Sequence, residues 1–256
     1  SKDGLIKDVV AKTGRPNGIV VDSHGTLWVA ESMNPPSLKK VELSGLSESI
    51  ITGGDGVEFL FPNDLAFGPD GALYMTDSGI SRPVFQQARE TGRLNSKIDG
   101  KVFRIDLASR SAIVLDDGLQ FANGLAFGLD DALYVTTTLN GLVYRYDWKH
   151  DGTLGPREEF TDLVDRNQGS SFIGGDGLAV GMNGFLYCAV VGQGDVTVVD
   201  TDGRVVERII VGGDQPTNVA FGPRDSGDLY VTVKDAGTFE RCKIGVSGRP
   251  LHLSIV

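Results

Sequence analysis

One short phrase recurs five times along this chain. Each copy places an asparagine or aspartate at the start of an apolar run, which is followed by a turn and a second apolar run. The first residues of the five copies, here called the anchors, are Asn17, Asn63, Asn123, Asp176 and Asn218. They are separated by 46, 60, 53 and 42 positions, close to the span of a four-stranded propeller blade. The sequence therefore predicts an all-β protein, a β-propeller of four-stranded antiparallel blades with five clear repeats.

The individual strands are legible within each repeat. The first runs (IVV, LAF, LAF, LAV and VAF) are typical of strands buried on both faces. The second runs are rich in aromatic and β-branched residues. Third strands are predicted at Leu38–Leu43, Lys101–Asp106, Val143–Asp147, Asp195–Val199 and Thr238–Ile244. Fainter outer strands are predicted at Ile50–Thr52, Ala112–Leu115, Glu158–Leu163 and Val205–Val211. No segment shows a sustained helical period.

Strand direction predicts where the functional end of the propeller lies. Because the first two strands of a blade are antiparallel, each anchor and the end of its second strand lie at the same mouth of the channel. Ser78–Gly100 is the longest loop at this mouth, and we predict that it is a mobile lid. Glu31 and Asp77 end second strands there, either leaning over the channel or lying in solvent. Residues 170–172 either line a substrate pocket or finish a loop.

Composition excludes several classes of protein. A chain of 256 residues can bury the core of one domain, which we predict spans residues 1–256. The formal charge of −10 argues against a nucleic-acid partner. The apolar runs are too short to span a membrane, and the chain opens with Ser-Lys-Asp-Gly rather than a signal peptide. We expect a soluble protein, with the cytoplasm favoured and the oligomeric state left open.

Cysteine and histidine are poorly placed for chemistry at the mouth. Cys188 and Cys242 are expected to be packed, inert thiols, without a disulfide or the spacing of a zinc site. His24, His150 and His252 all fall away from the mouth. This disfavours a histidine-ligated metal and a Ser-His-Asp triad. Chemistry at the mouth must then rely on oxygen ligands.

The five anchors would form a ring of amide and carboxylate oxygens around the channel. Such oxygens are the ligands of a hard divalent cation such as Ca²⁺ or Mg²⁺. Alternatively, each anchor caps its own strand through hydrogen bonds to the backbone, which requires no ligand. For any single anchor, both interpretations stay open. For the ring as a whole, a cation shared by at least two anchors is favoured.

These motifs carry a family resemblance. The segments Pro16-Asn17-Gly18, Pro62-Asn63-Asp64-Leu65, Ala122-Asn123-Gly124-Leu125 and Gly175-Asp176-Gly177-Leu178 resemble the SMP-30/gluconolactonase/luciferin-regenerating-enzyme family over nearly the whole chain. The resemblance implies a metal-dependent propeller that hydrolyses a lactone, a small-molecule substrate. It also implies that a lid covers the mouth, as Ser78–Gly100 would.

Individual roles follow from the resemblance. Asn123 and Asp176 match two metal ligands, and Asp176 also matches the general base. Asn63 and Asp64 match an Asn-Asp pair whose asparagine contacts substrate or metal. Asp64 and the remaining ring members, Asn17 and Asn218, are expected to contact substrate. The cation is Ca²⁺, Mg²⁺, Mn²⁺ or Zn²⁺, which the sequence does not distinguish.

One departure from the family pattern concerns a third metal ligand. The family has a glutamate in an opening Glu-Gly-Pro repeat, and no such repeat precedes Asn17. The residues from Asp3 to Val10 resemble the tail of that opening blade. The chain is therefore either five-bladed or six-bladed with an incomplete first blade, and Asp176 is the only carboxylate among the anchors. Two further functions stay open: an NHL-like propeller that binds a partner, and a non-hydrolytic enzyme resembling strictosidine synthase.

Overall fold

The strands form five antiparallel blades in chain order. The computed structural model describes residues 9–94, 96–167 and 172–254. Blade 1 contains β1 (Pro16–Val21), β2 (Leu27–Glu31), β3 (Ser37–Val41) and β4 (Ser47–Ile51). A small hairpin of β5 (Gly53–Gly54) and β6 (Val57–Glu58) follows. Blade 2 contains β7 (Pro62–Phe67), β8 (Leu73–Asp77), β9 (Gly100–Asp106) and β10 (Ser111–Leu119), with helix α1 (Arg82–Thr91) between β8 and β9.

The remaining blades repeat this order. Blade 3 contains β11 (Ala122–Phe127), β12 (Leu133–Thr137), β13 (Leu142–Tyr146) and β14 (Glu158–Asp162). Blade 4 contains β15 (Gly174–Val180), β16 (Leu186–Val191), β17 (Asp195–Val199) and β18 (Val205–Ile210). Blade 5 contains β19 (Pro216–Phe221), β20 (Asp228–Val233) and β21 (Thr238–Lys243). The predicted β-propeller is confirmed, with five blades.

Local turn chemistry explains why the two inner strands of a blade pair. In blade 1, Asp22 Oδ1 accepts hydrogen bonds from the backbone N–H groups of His24 and Thr26, both at 2.9 Å. Gly25 adopts a φ of 82°, a conformation that costs glycine little. The turn therefore reverses the chain and sets β2 antiparallel to β1.

The core lies between successive blades rather than in one central mass. Inner strands pack in the order β1, β7, β11, β15 and β19. No comparable packing joins β19 to β1 within the described residues. Consequently β7, β11 and β15 are largely buried, as predicted, whereas Ile19 and Val21 of β1 are half exposed. The prediction of inner strands buried on both faces was therefore wrong for β1 and β19.

The segment predicted as a loop contains helix α1. Ser81 occupies the N-cap position, Pro83 lies in the first turn, and Gly92 ends the helix with a φ of 66°. These are ordinary signals for the start and end of a helix. The expectation that the chain lacks helix was wrong here because ten residues give too short a window for a periodic pattern. No helix in the described ranges has the length and apolar character needed to cross a membrane.

The C-terminal segment crosses the end of the propeller opposite the anchors. Arg249 donates from its backbone N–H to Val180 O at 2.8 Å and from Nη2 to Asp131 Oδ1 at 2.8 Å. Further along, Ser23 Oγ donates to Ser254 O at 3.5 Å. These contacts join the bottom turns of three blades.

Candidate functional site

All five anchors line one cavity at the mouth of the propeller. Its volume is about 1140 Å³, and Asp64 lines it too. The inner strands of consecutive blades converge at this mouth, so the first and last anchors, Asn17 and Asn218, line the same cavity although they are 201 positions apart. The predicted convergence of the anchors is therefore present. His24, His150 and His252 do not line the cavity.

Asn63 and Asn123 are held by the same relay of hydrogen bonds. Asn63 Nδ2 donates to Ser78 Oγ at 2.8 Å, and that hydroxyl donates to Ala122 O at 3.0 Å. One blade further, Asn123 Nδ2 donates to Thr138 Oγ1 at 2.9 Å, and that hydroxyl donates to Gly175 O at 2.8 Å. Each relay fixes the amide nitrogen of one anchor and also the backbone beside the next anchor.

Two threonines add a second contact between blades. Thr76 Oγ1 donates to Asn123 O and accepts from Asp64 N. In the next blade, Thr136 Oγ1 donates to Asp176 O at 2.5 Å. The sequence analysis missed these hydroxyls. The sequence feature that could have revealed them is a pair of hydroxyl residues two positions apart, Thr76 and Ser78. The same spacing recurs at residues 136 and 138. Alternate residues of a strand share a face, so both hydroxyls of a pair point the same way.

Asp64 and Asp176 are the two aspartates that line the cavity. Burial and then the negative charge of Asp64 raise the pKa of Asp176 to about 7, against a hydrogen bond from Asn123. Burial likewise raises the pKa of Asp64 to about 6, against hydrogen bonds from the N–H groups of Leu65 and Leu125. The cavity thus holds two mutually repelling carboxylates, and a cation beside them would relieve the repulsion.

The outer anchors are held differently. Asn17 Nδ2 donates to Asn63 Oδ1 at 3.0 Å, which joins blade 1 to the ring. Asn218 Oδ1 accepts from the N–H of its own neighbour Val219 at 2.8 Å. Asn218 therefore caps its own strand through a hydrogen bond to the backbone, as the alternative without a ligand predicts. It also lines the cavity.

Glu31 and Asp77 do not lean over the channel. Both are buried, so the alternative of solvated loop carboxylates was wrong as well. Glu31 Oε1 accepts from the N–H groups of Arg15 and Met33, and Asp77 accepts from three backbone N–H groups in the segments entering β7 and leaving β8. Their role is to hold the loops at the ends of β2 and β8.

Helix α1 covers the mouth. Its residues Arg82, Phe85, Gln86, Arg89 and Glu90 line the cavity, a set spaced for one face of a helix. The predicted position of the lid is therefore confirmed. However, the lid is not purely polar: the ring of Phe85 lies 4.5 Å from that of Phe121 and 6.3 Å from that of Phe172, measured between centroids.

Other residues singled out in the sequence have simpler outcomes. Phe172 lines the cavity, which agrees with the first of the two alternatives given for residues 170–172, a pocket lining rather than the end of a loop. Ser170 and Ser171 lie outside the described residues, as does the segment from Asp3 to Asp8. Cys188 is buried, Cys242 is half-buried, and both are free thiols.

The donor set fits a hard divalent cation. In residues 9–94, 96–167 and 172–254, no group of three or more His, Cys, Asp or Glu side chains could hold a metal. A cation at the ring would instead combine the carboxylate of Asp176 with amide oxygens of Asn63 and Asn123, beside the carboxylate of Asp64. Oxygen ligands of this mixed kind suit Ca²⁺ or Mg²⁺ rather than a thiolate-seeking metal.

Comparison with known proteins gives a consistent assignment. Among curated relatives, 6-deoxy-6-sulfogluconolactonase of Pseudomonas putida is 33% identical over 134 residues, covering 52% of this chain and 44% of the relative. Pentonolactonase XacC of Haloferax volcanii is 29% identical over 170 residues, covering 59% and 56%. Protein STRICTOSIDINE SYNTHASE-LIKE 4 of Arabidopsis thaliana is 29% identical over 136 residues, covering 53% and 36%. The chain thus spans about half the length of these relatives or less.

Solved structures share the fold. Regucalcin of Agrobacterium tumefaciens, a calcium-binding protein, superimposes with a TM-score of 0.75 at 21% identity, covering 94% of this chain and 80% of that one. A gluconolactonase of Xanthomonas campestris superimposes with a TM-score of 0.73 at 23% identity, covering 94% and 75%. The family model described as SMP-30/Gluconolactonase/LRE-like region matches residues 44–235. The chain therefore belongs to the SMP-30/gluconolactonase/LRE-like family.

Proposed function

We propose that this chain hydrolyses a lactone in the cavity beneath α1, with a divalent cation held by Asp176, Asn123 and Asn63. The observation that carries the proposal is the pairing of Asp176 and Asp64 beside two amides that relays hold in place. The lactonases among the relatives support the reaction class, and the calcium-binding structural neighbour supports a cation.

Each residue has a defined task in this proposal. A bound divalent cation would polarise the lactone carbonyl and favour deprotonation of the attacking water. Asp176 accepts the proton of that water as its oxygen attacks the carbonyl carbon. The ring C–O bond then breaks, and its oxygen takes that proton back from Asp176 and leaves as the hydroxyl of the product acid. Asn63, Asp64, Asn17 and Asn218 contact the substrate, and α1 excludes bulk water.

The test is a panel of lactones and esters assayed before and after treatment with a chelator. We expect hydrolysis above the spontaneous rate, its loss after chelation, and its return when Ca²⁺, Mg²⁺, Mn²⁺ or Zn²⁺ is added. Full turnover after chelation would contradict the role of the cation. Absence of turnover on every lactone with every cation would contradict the lactonase assignment.

A second candidate is a non-hydrolytic enzyme. Several curated relatives are strictosidine-synthase-like proteins, and two of them are 29% and 30% identical to this chain over about half of its length. Product analysis separates the two candidates, because hydrolysis incorporates one oxygen of labelled water into the product acid. An NHL-like binding propeller predicts neither turnover nor a stoichiometric metal in the purified protein.

A further inference from the structure

Four basic side chains line the same cavity. Arg15 precedes β1, Arg82 and Arg89 lie on α1, and Lys234 follows β20. This concentration is unusual in a chain whose formal charge is −10. We call these four residues the basic cluster.

No carboxylate among the described residues lies within ion-pair distance of the basic cluster. Within the described part of the chain, none of its four members forms an ion pair, although twelve other basic side chains do. Its members also repel one another. Partial burial and then the charges of Arg89 and Arg82 lower the pKa of Lys234, and they outweigh the opposing charge of Asp176. Partial burial and then Arg15 lower the pKa of Arg82.

Aromatic rings position two of the guanidinium groups. Arg82 Cζ lies 5.3 Å from the centroid of Phe61, and Arg89 Cζ lies 5.2 Å from the centroid of Phe172. An arginine stacked on a ring keeps its N–H edges available for an oxyanion. Because Arg82 and Arg89 are seven residues apart, about two helical turns, both face the cavity.

The charges of the cavity do not balance without a ligand. Its acidic side chains are Asp64, Asp176 and Glu90, three against the four of the basic cluster. A divalent cation at Asp176 would add to the positive excess. Glu90 Oε1 accepts from Gln86 Nε2 at 3.0 Å and reaches no member of the basic cluster within ion-pair distance. The occupant that completes this cavity is therefore an anion.

We propose that the basic cluster binds an oxyanion on the substrate, so that the preferred substrate is an anionic lactone. The oxyanion is a carboxylate, sulfate, sulfonate or phosphate group remote from the ring carbonyl. The carbonyl then faces Asp176 while the oxyanion faces α1. This inference rests on the proposed function for the lactone, whereas the oxyanion site rests on the basic cluster alone.

A binding experiment tests the oxyanion site independently of turnover. Glucitol and glucitol 6-sulfate differ only in the sulfate, and neither is a lactone. By titration calorimetry we expect the sulfate to bind at least about tenfold more tightly, since a hydrogen bond to a charged group is strong. The preference should disappear in Arg82→Gln/Arg89→Gln, whose glutamines favour helix. It should persist in Arg93→Gln, a matched control beyond the C-terminus of α1.

A kinetic experiment tests the substrate class. Glucono-1,5-lactone and its 6-sulfate should differ at least about tenfold in kcat/KM in favour of the sulfate, mainly through KM. The double variant should lose much more kcat/KM on the sulfated lactone than on the neutral one. Circular dichroism melting curves of both variants verify that they are folded.

The outcomes separate the two proposals. Polyol affinities that differ by less than about twofold, or a preference that survives the double variant, would overturn the oxyanion site. Hydrolysis of the neutral lactone alone would overturn the anionic substrate and leave the proposed function standing. Preferential binding of glucitol 6-sulfate without hydrolysis of either lactone would overturn the proposed function and retain the oxyanion site.

Discussion

Asn123 donates its side-chain N–H to the hydroxyl of Thr138 at 2.9 Å. The same hydroxyl donates to Gly175 O, one residue before Asp176, so one side chain orients a proposed cation ligand and the backbone that carries the proposed base. Both Asn123 and Thr138 are buried. The precision of the site therefore depends on a residue that does not itself need to touch the reacting atoms.

The first prediction concerns this relay. Thr138→Val keeps the shape of the side chain but removes the hydroxyl, leaving buried polar groups of Asn123 and Gly175 without that partner. We expect the free energy of unfolding to fall by about 1–3 kcal/mol, with hydrolysis reduced because the Asn123 amide is free to rotate. Urea unfolding and lactone turnover measure the two effects. Thr138→Ser should restore both, and Thr201→Val, at an exposed turn, should change neither.

The second prediction concerns the proposed base. Asp176→Asn preserves size while removing the charge, so cation content and hydrolysis should fall together. Loss of a general base lowers kcat by at least about a hundredfold. Asn218→Ala, on the same ring, should have a much smaller effect because its oxygen accepts from Val219. Elemental analysis and turnover on one lactone provide the measurement. A folded Asp176→Asn protein with full metal content and turnover would exclude the mechanism.

The third prediction is the pH dependence of stability in the metal-free protein. The pKa of Asp176 is raised from 3.8 to about 7, and that of Asp64 from 3.8 to about 6. Below about pH 4 both groups are protonated in the folded and unfolded states, and their contribution to stability is fully present. As the pH rises towards 7, the unfolded chain releases these protons first, so the free energy of unfolding falls.

Urea unfolding in chelator between pH 4 and pH 8 measures this loss. Other groups also titrate, so the informative quantity is the difference between the wild-type protein and Asp176→Asn. The variant should lose less stability over that range, and added cation should reduce the loss in the wild type. Parallel pH profiles for the two proteins would show that Asp176 is not the group responsible.

The fourth prediction concerns the lid. None of the residues of α1 is buried, and Phe85 supplies its main apolar contact with Phe121 and Phe172. Few buried contacts mean a low free energy of local opening. Amides of residues 82–91 should therefore exchange hydrogen faster than those of β8 and β9.

Phe85→Ala should accelerate that exchange further and raise KM. Val84→Ala, the matched control on the same helix, should leave both unchanged, because Val84 does not line the cavity. Equal protection of α1 and the adjoining strands would contradict the lid.

The features that the sequence predicted correctly are those set by interactions between residues close together in the chain. Strand β17 was predicted with its observed bounds, Asp195–Val199, because alternation and turn residues are local properties of the sequence. The recurrence of the anchors was enough to place them at one mouth, since antiparallel pairing fixes which strand ends meet. Helix α1 was missed because its exposed face is polar. The residues of its other face line the cavity instead of packing into a core, so they give no periodic apolar pattern.

By itself, the sequence determined the β-propeller, the positions of its blades and the ring of anchors, because one repeated pattern of short-range signals specifies all three. Only the tertiary structure decided which hydroxyl holds Asn123, that Glu31 and Asp77 are buried loop supports, and that Arg15, Arg82, Arg89 and Lys234 converge. These relationships join residues from different blades and loops. Their partners are chosen by how neighbouring sheets pack, a long-range property that no local pattern encodes.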